Sequence, residues 1–133
     1  MEVELTGFVV AIIGALFLLC GLIVDGGLAL GARVRALNEA QEAARSGAQQ
    51  LDLAAYRRDA TVRVDATRAR TAALSYIAAT PDTAAVEVVG DTVTVTVRAV
   101  QPTQILGLAG LRSIRVTGRA TAVAQRGVTG VIR

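Results

Sequence analysis

The chain has 133 residues and a formal net charge of +3, from 14 basic and 11 acidic residues, and every basic residue is an arginine. The absence of His and Lys excludes histidine acid–base catalysis, Ser–His triads, histidine metal ligands and lysine Schiff bases. The weak net charge, with two Tyr, two Phe and no Trp to stack on bases, also argues against a nucleic-acid partner.

The N-terminal part of the chain contains 20 consecutive residues without a formal charge, residues 5–24. A helix of that length is about 30 Å long, which matches the hydrocarbon core of a bilayer. Backbone amides inside a membrane must be bonded within their own segment, so this run is predicted to be helical. We therefore predict a transmembrane anchor over residues 1–27. A cleaved signal peptide is the alternative, disfavoured because no basic residue precedes the run.

Small residues recur on one face of the predicted anchor. Gly7, Gly14 and Gly21 are spaced by seven residues, and Ala11 lies at an intervening four-residue step. Such a face lets membrane helices approach closely, so it predicts a helix-packing interface. The alternative is that glycine is simply common in membrane helices.

Two acidic residues, Glu4 and Asp25, flank the apolar run on the same side of the helix. A carboxylate at the edge of an apolar helix is costly to bury unless it is paired. We expect intersubunit charge pairing at both positions, for Asp25 with Arg33 or Arg35 of an adjacent helix. The alternative is that the two carboxylates mark the membrane–water interfaces.

Residues 28–51 are predicted to continue as a helix beyond the membrane. Alanines recur there every four residues and extend the small-residue packing face: Ala32, Ala36, Ala40, Ala44 and Ala48. The charged side chains lie mostly away from this face. Gly26 and Gly27 are expected to loosen the junction, because each costs about 1 kcal/mol relative to alanine in a helix.

The remaining residues, 52–133, have the mixed pattern of a small α+β domain. Asp65 is predicted to cap a helix that runs to about residue 79. Gly90 and Asp91 form a hairpin signal, and residues 92–98 alternate strictly, with valines inward and Thr and Arg outward. Pro102 should end that strand, and Thr103 should cap a short apolar turn. A last strand is predicted over residues 113–123, which gives one helix on a three-stranded antiparallel sheet.

The outward face of this sheet is rich in Thr and Arg. Arg98, Arg115 and Arg119 lie on it and form a possible ligand face for anionic glycans, although such a face is usually just a solvated sheet surface. The acidic residues of the domain fall mostly at caps and turns and form no spaced acid–base or metal pair. We therefore predict no enzyme, no catalytic residues, no metal site and no cofactor.

Four segments of the chain carry recognisable motifs. The anchor ends in IVDGG at 23–27 and is followed by LALGAR at 28–33, and the helix after it carries NEAQEAARSGA at 38–48. Near the other end lie PTQILGL at 102–108 and VTGRATA at 116–122. Together these segments resemble TadE/TadG-like proteins of actinobacteria, the last two being similar to a loop and strand of that group.

The resemblance implies a pilin-like fold and a non-enzymatic subunit or assembly factor of a tight-adherence (Tad, type IVc) pilus. Its expected partners are itself or other pilin-like subunits, the pilus assembly platform and the lipid bilayer. Glu4 matches the glutamate that type IV pilins are thought to use against a neighbouring subunit's terminal amine. The expected location is a single-pass cell membrane protein with an extracytoplasmic C-terminal domain, or a filament at the cell surface after assembly.

Two observations leave alternatives open. Arg33 and Arg35 follow the anchor and would favour a cytoplasmic C-terminal side by the positive-inside rule, whereas the resemblance favours an extracytoplasmic one. In function, the alternative to a pilus subunit is a membrane-tethered extracytoplasmic binding module that uses the Thr/Arg sheet face.

Overall fold

A computed structural model describes residues 2–124 of the chain. Its elements, in order, are α1 (Glu2–Ala48), α2 (Leu53–Asp59), α3 (Ala66–Ala78), β1 (Thr83–Val89), β2 (Thr92–Pro102), a 3-10 turn (Leu106–Ala109) and β3 (Ser113–Val123). This architecture confirms the predicted α+β class, with a long apolar helix before a small domain. Helix α2 was not predicted.

Helix α1 joins the predicted anchor and the predicted second helix in one element. Glu2 and Glu4 lie in its first turn and Arg45 in its last, so the charges at both ends complement the helix dipole. The helix continues through Gly26 and Gly27 without a break. By length and composition it can cross a membrane, and its large apolar side chains between Val3 and Val24 are exposed in the isolated chain.

The two short helices both begin at aspartate caps. The Asp52 carboxylate accepts the Ala55 N–H at 3.1 Å, and the Asp65 carboxylate accepts the Arg68 N–H at 3.2 Å. These bonds satisfy donors that have no partner within the helix. The cap at Asp65 and the extent of α3 confirm the prediction for this helix.

The strands form one antiparallel sheet in the order β1-β2-β3. Val89 pairs with Thr92 around the Gly90–Asp91 turn, where Gly90 has a φ of +62° that favours glycine. The inward side chains of β2 are completely buried, and they are Val93, Val95 and Val97. The predicted alternation and the predicted end of β2 at Pro102 are thus both confirmed.

The chain divides into two compact units. Among the described residues, the first contains residues 2–32 and 100–116, and the second contains residues 33–99 and 117–124. The core of the second unit is built from the valines of β2, from Ala69, Ala73 and Ile77 of α3, and from the alanines of α1 beyond Arg33. In the first unit, the apolar part of α1 is accompanied by the segment around the 3-10 turn.

Candidate functional site

The alanine face of α1 is covered within the chain. Ala32, Ala36, Ala40, Ala44 and Ala48 are all buried. In the second unit the cause is a close approach of β3, because a Cβ on Gly118 would overlap the backbone of Ala36 and Leu37. Only small residues on both elements permit backbones to come this near. At this level of the helix, the predicted packing face contacts the protein's own domain.

The glycine face near the N terminus is open. A Cβ built on Gly7 or Gly14 would meet no atom of residues 2–124 within 4 Å, and Ala11 between them is exposed. Gly21 differs, because a Cβ there would lie 2.8 Å from Cγ2 of Ile105 and 3.1 Å from Cδ2 of Leu106. The small-residue face therefore has an uncovered part over residues 7–14 and a covered part from Gly21 onward.

Asp25 lies one turn beyond Gly21 and is only 1 % exposed. Its Oδ1 accepts the Gln104 N–H at 2.6 Å, and its Oδ2 accepts the N–H groups of Ile105 and Leu106 at 3.0 and 2.6 Å. A carboxylate has only acceptors to offer, so it suits three converging donors at the start of the 3-10 turn. The predicted intersubunit pairing of Asp25 stays a prediction, and its observed partners belong to its own chain.

Thr103 does not act as the predicted cap of this turn. The first residues of the 3-10 turn receive no side-chain cap from their own segment. The Thr103 hydroxyl instead donates to the Leu111 carbonyl, and the Thr103 N–H donates to the Arg112 carbonyl at 2.9 Å. The prediction for Thr103 is therefore wrong, because Asp25 already occupies the capping position and Thr103 closes the base of the loop.

A partly buried pair of acidic residues in the second unit was missed by the sequence analysis. Arg35 Nε lies 3.5 Å from Glu39 Oε1, and Arg35 Nη2 lies 3.7 Å from Asp82 Oδ1. The other carboxylate oxygens, Glu39 Oε2 and Asp82 Oδ2, are buried and have no donor within hydrogen-bond distance among the described residues. Burial raises the pKa of Glu39 to about 7. A hydrogen bond that only the protonated Glu39 can donate to Asp82, and the negative charge of Asp82, act in the same direction, whereas Arg35 opposes them. The pair can thus hold a proton near neutral pH.

Glu4 is exposed at the N-terminal edge of the apolar run. Within residues 2–124 it takes part in none of the ion pairs, which all involve Arg35, Arg45 or Arg68. Its predicted pairing with another subunit stays a prediction.

The Thr/Arg face of the sheet is present as predicted, but its use is untested. Thr94 and Thr121 join β2 and β3 through their hydroxyl groups at 3.1 Å. Arg98 and Arg119 of the second unit are exposed, as is Arg115 of the first. In the described part of the chain none of the three arginines forms an ion pair.

Other chemistry is sparse among the described residues. No group of three or more Cys, Asp or Glu side chains between residues 2 and 124 lies close enough together to hold a metal ion. Cys20 is a free, exposed thiol on α1. The features with a defined arrangement are thus the open glycine face, the Asp25 cap and the Glu39–Asp82 pair.

A segment that lies almost entirely within α1 matches a family model. Residues 5–50 match the Tad family model, described as "Putative Flp pilus-assembly TadE/G-like". The matched segment covers the apolar run, the open glycine face, Asp25 and the covered alanines. The match supports the resemblance to Flp/Tad pilus-assembly proteins over this part of the chain. No curated protein and no solved structure gives a significant match.

Proposed function

We propose that the chain is a pilin-like subunit or assembly factor of a Tad (type IVc) pilus, and that it associates through the open face formed by Gly7, Ala11 and Gly14. The observation that carries this proposal is the contrast along α1. From Gly21 onward the small-residue face is covered by the chain itself, whereas over residues 7–14 none of the described residues covers it. A small-residue face without a partner in its own chain is suited to a second helix.

The surrounding parts have matching roles in this proposal. Residues 1–27 anchor the chain in the membrane as a single pass, residues 28–51 carry the helix out of it, and residues 52–133 form an extracytoplasmic head. The partners are copies of the chain or other pilin-like subunits, with the assembly platform in the membrane. Glu4 is available for pairing with a neighbouring subunit, because it has no ion-pair partner within residues 2–124.

The proposal is tested by enlarging the open face. Gly7→Leu and Gly14→Leu place a branched side chain where a partner backbone would lie, and chemical cross-linking in membranes should then show a loss of multimers. Gly27→Leu is the matched control, because at 100° per residue Gly27 lies on the opposite side of α1 and a Cβ there meets no atom within 4 Å. Multimers that persist in both face variants, or that are lost equally in the control, would contradict the proposal.

A second candidate is a tethered extracytoplasmic module that binds an anionic glycan. It is favoured by the exposed Arg98 and Arg119 on the Thr face, neither of which has an acidic partner among residues 2–124. Arg98→Ala and Arg119→Ala should then abolish binding to a sulfated glycan column, while Arg70→Ala on α3 should not. In that case Gly14→Leu leaves glycan binding unchanged.

A further inference from the structure

The loop between β2 and β3 is apolar, yet it is exposed at its tip. Residues 103–111 contain no charged side chain. Leu108 is 87 % exposed and Leu111 is 50 % exposed, although both side chains are apolar. The loop is closed at its base by the two hydrogen bonds of Thr103 to Leu111 and Arg112. It is therefore a defined structure that presents leucines outward.

This loop is fixed to the apolar run of α1, within the first unit. Ile105 and Leu106 contact Gly21, and the Asp25 carboxylate accepts hydrogen bonds from three N–H groups of the loop. Ile105 also lines a cavity of about 310 Å³ with four apolar-run residues, Ile13, Leu16, Phe17 and Cys20. Gly21 precedes the end of the run at Val24 by three residues, or about 4.5 Å along a helix. The loop thus lies against the uncharged run of α1 before that run ends at Val24.

The backbone of the loop is suited to a medium with little water. Asp25 takes the N–H groups of Gln104, Ile105 and Leu106, while those of Leu108, Gly110 and Leu111 donate to carbonyl groups within the loop. Irregular backbone near hydrocarbon is tolerated only when its polar groups are satisfied by protein. Two arginines, Arg112 and Arg115, follow directly after the apolar stretch, where they can reach lipid phosphates.

We propose that the loop of residues 103–112 enters the interface of the lipid bilayer beside α1, with Leu108 and Leu111 among the acyl chains. The inference rests on the proposed function in one respect, namely that residues 5–24 cross a bilayer. It adds a second membrane contact from the C-terminal half of the chain. Asp25 makes this contact possible, because it satisfies the loop's amides at the membrane edge.

The depth of Leu108 in a bilayer tests the proposal directly. The full chain carries Cys20→Ser and one reporter cysteine, Leu108→Cys, labelled with the fluorophore NBD and reconstituted at low density into phosphatidylcholine–phosphatidylglycerol vesicles. Lipids brominated near the headgroup should quench this reporter strongly, and lipids brominated near the chain end should quench it less. A reporter at Ile12→Cys, near the middle of the apolar run, should show the reverse order. A reporter at Val89→Cys, an exposed apolar position in the β1–β2 hairpin, should not be quenched.

The Ile12 and Leu108 reporters separate the ways in which the inference can fail. If Ile12→Cys is quenched and Leu108→Cys is not, the loop does not touch lipid although the anchor spans the membrane, and the inference alone is overturned. If Leu108→Cys has blue-shifted emission without lipid quenching, the loop contacts another protein copy, which also overturns it. If Ile12→Cys is not quenched, the anchor itself is refuted and the loop proposal falls with it.

Discussion

Removal of the Asp25 carboxylate should release the loop of residues 103–112 from α1. Asp25→Ala deletes the acceptor of three N–H groups, whose distances to the two oxygens are 2.6, 3.0 and 2.6 Å. Asp25→Asn is a milder change. Its single carbonyl oxygen can still face the Ile105 and Leu106 donors, but its NH₂ group then faces the Gln104 N–H.

The size of the effect follows from the number of bonds. One intramolecular hydrogen bond typically changes an equilibrium by about fivefold in net terms, and bonds to charged groups change it by more. Three bonds to one buried carboxylate should therefore favour the docked loop over the undocked loop by at least about a hundredfold. Asp25→Ala should lose this whole factor, and Asp25→Asn should fall between it and the unchanged chain.

Amide hydrogen exchange in detergent micelles measures the effect at the three donors. The amides of Gln104, Ile105 and Leu106 should exchange about a hundredfold faster in Asp25→Ala. Glu42→Gln is the matched control, since it also removes one acidic charge from α1 but only from an exposed pair with Arg45. Unchanged exchange at the three amides in Asp25→Ala, or an equal acceleration in Glu42→Gln, would refute the cap.

Two further predictions concern the second unit. Gly118→Ala should destabilise it by at least about 3 kcal/mol in a urea titration, because the new Cβ would overlap the α1 backbone. Gly31→Ala adds the same methyl group to α1 in the first unit, where no described atom lies within 4 Å of the new Cβ, and it should leave the second unit's stability unchanged. The raised pKa of Glu39 predicts a contribution to the second unit's free energy of unfolding that is fully present at acidic pH. This contribution is lost as the pH rises from 4.5, the ordinary pKa of a glutamate, to about 7. The loss should be at most about 3 kcal/mol by thermal unfolding. It should be absent in Glu39→Gln and retained in Glu42→Gln.

Local patterns were sufficient to predict most of the elements. Asp65 gave the start of α3 because an aspartate before an amphipathic run caps a helix. The strict alternation of residues 92–98 gave both the strand and its buried valines, and Gly90–Asp91 gave the turn before it. Helix α2 was missed because seven residues are too few to show a helical period, although Asp52 stands at its cap.

The candidate site was less predictable, because its contacts join distant parts of the chain. The three donors that bind Asp25 are backbone amides 79–81 residues away, and backbone donors leave no trace in residue types. In the sequence, Glu39 has the pattern of a residue on a helix surface and Asp82 that of a turn residue, and nothing links the two. Four-residue alanine spacing indicates a packing face, but spacing alone does not reveal whether the chain's own domain or another helix covers it.

The same limit applies to the uncovered part of that face. Gly7, Ala11 and Gly14 have the spacing of a packing surface and no partner within the described residues of the chain. The proposed function therefore depends on what lies against this short stretch in the membrane.

Cysteine cross-linking between copies tests that dependence most directly. In the full chain with Cys20→Ser, Ala11→Cys lies on the open face, and Val9→Cys lies on the opposite side of α1, 200° away at 100° per residue. Oxidation of membranes that contain the assembled protein should produce disulfide dimers at Ala11→Cys and few at Val9→Cys. Dimers at Val9→Cys with none at Ala11→Cys, or none at either position, would contradict association through the glycine face.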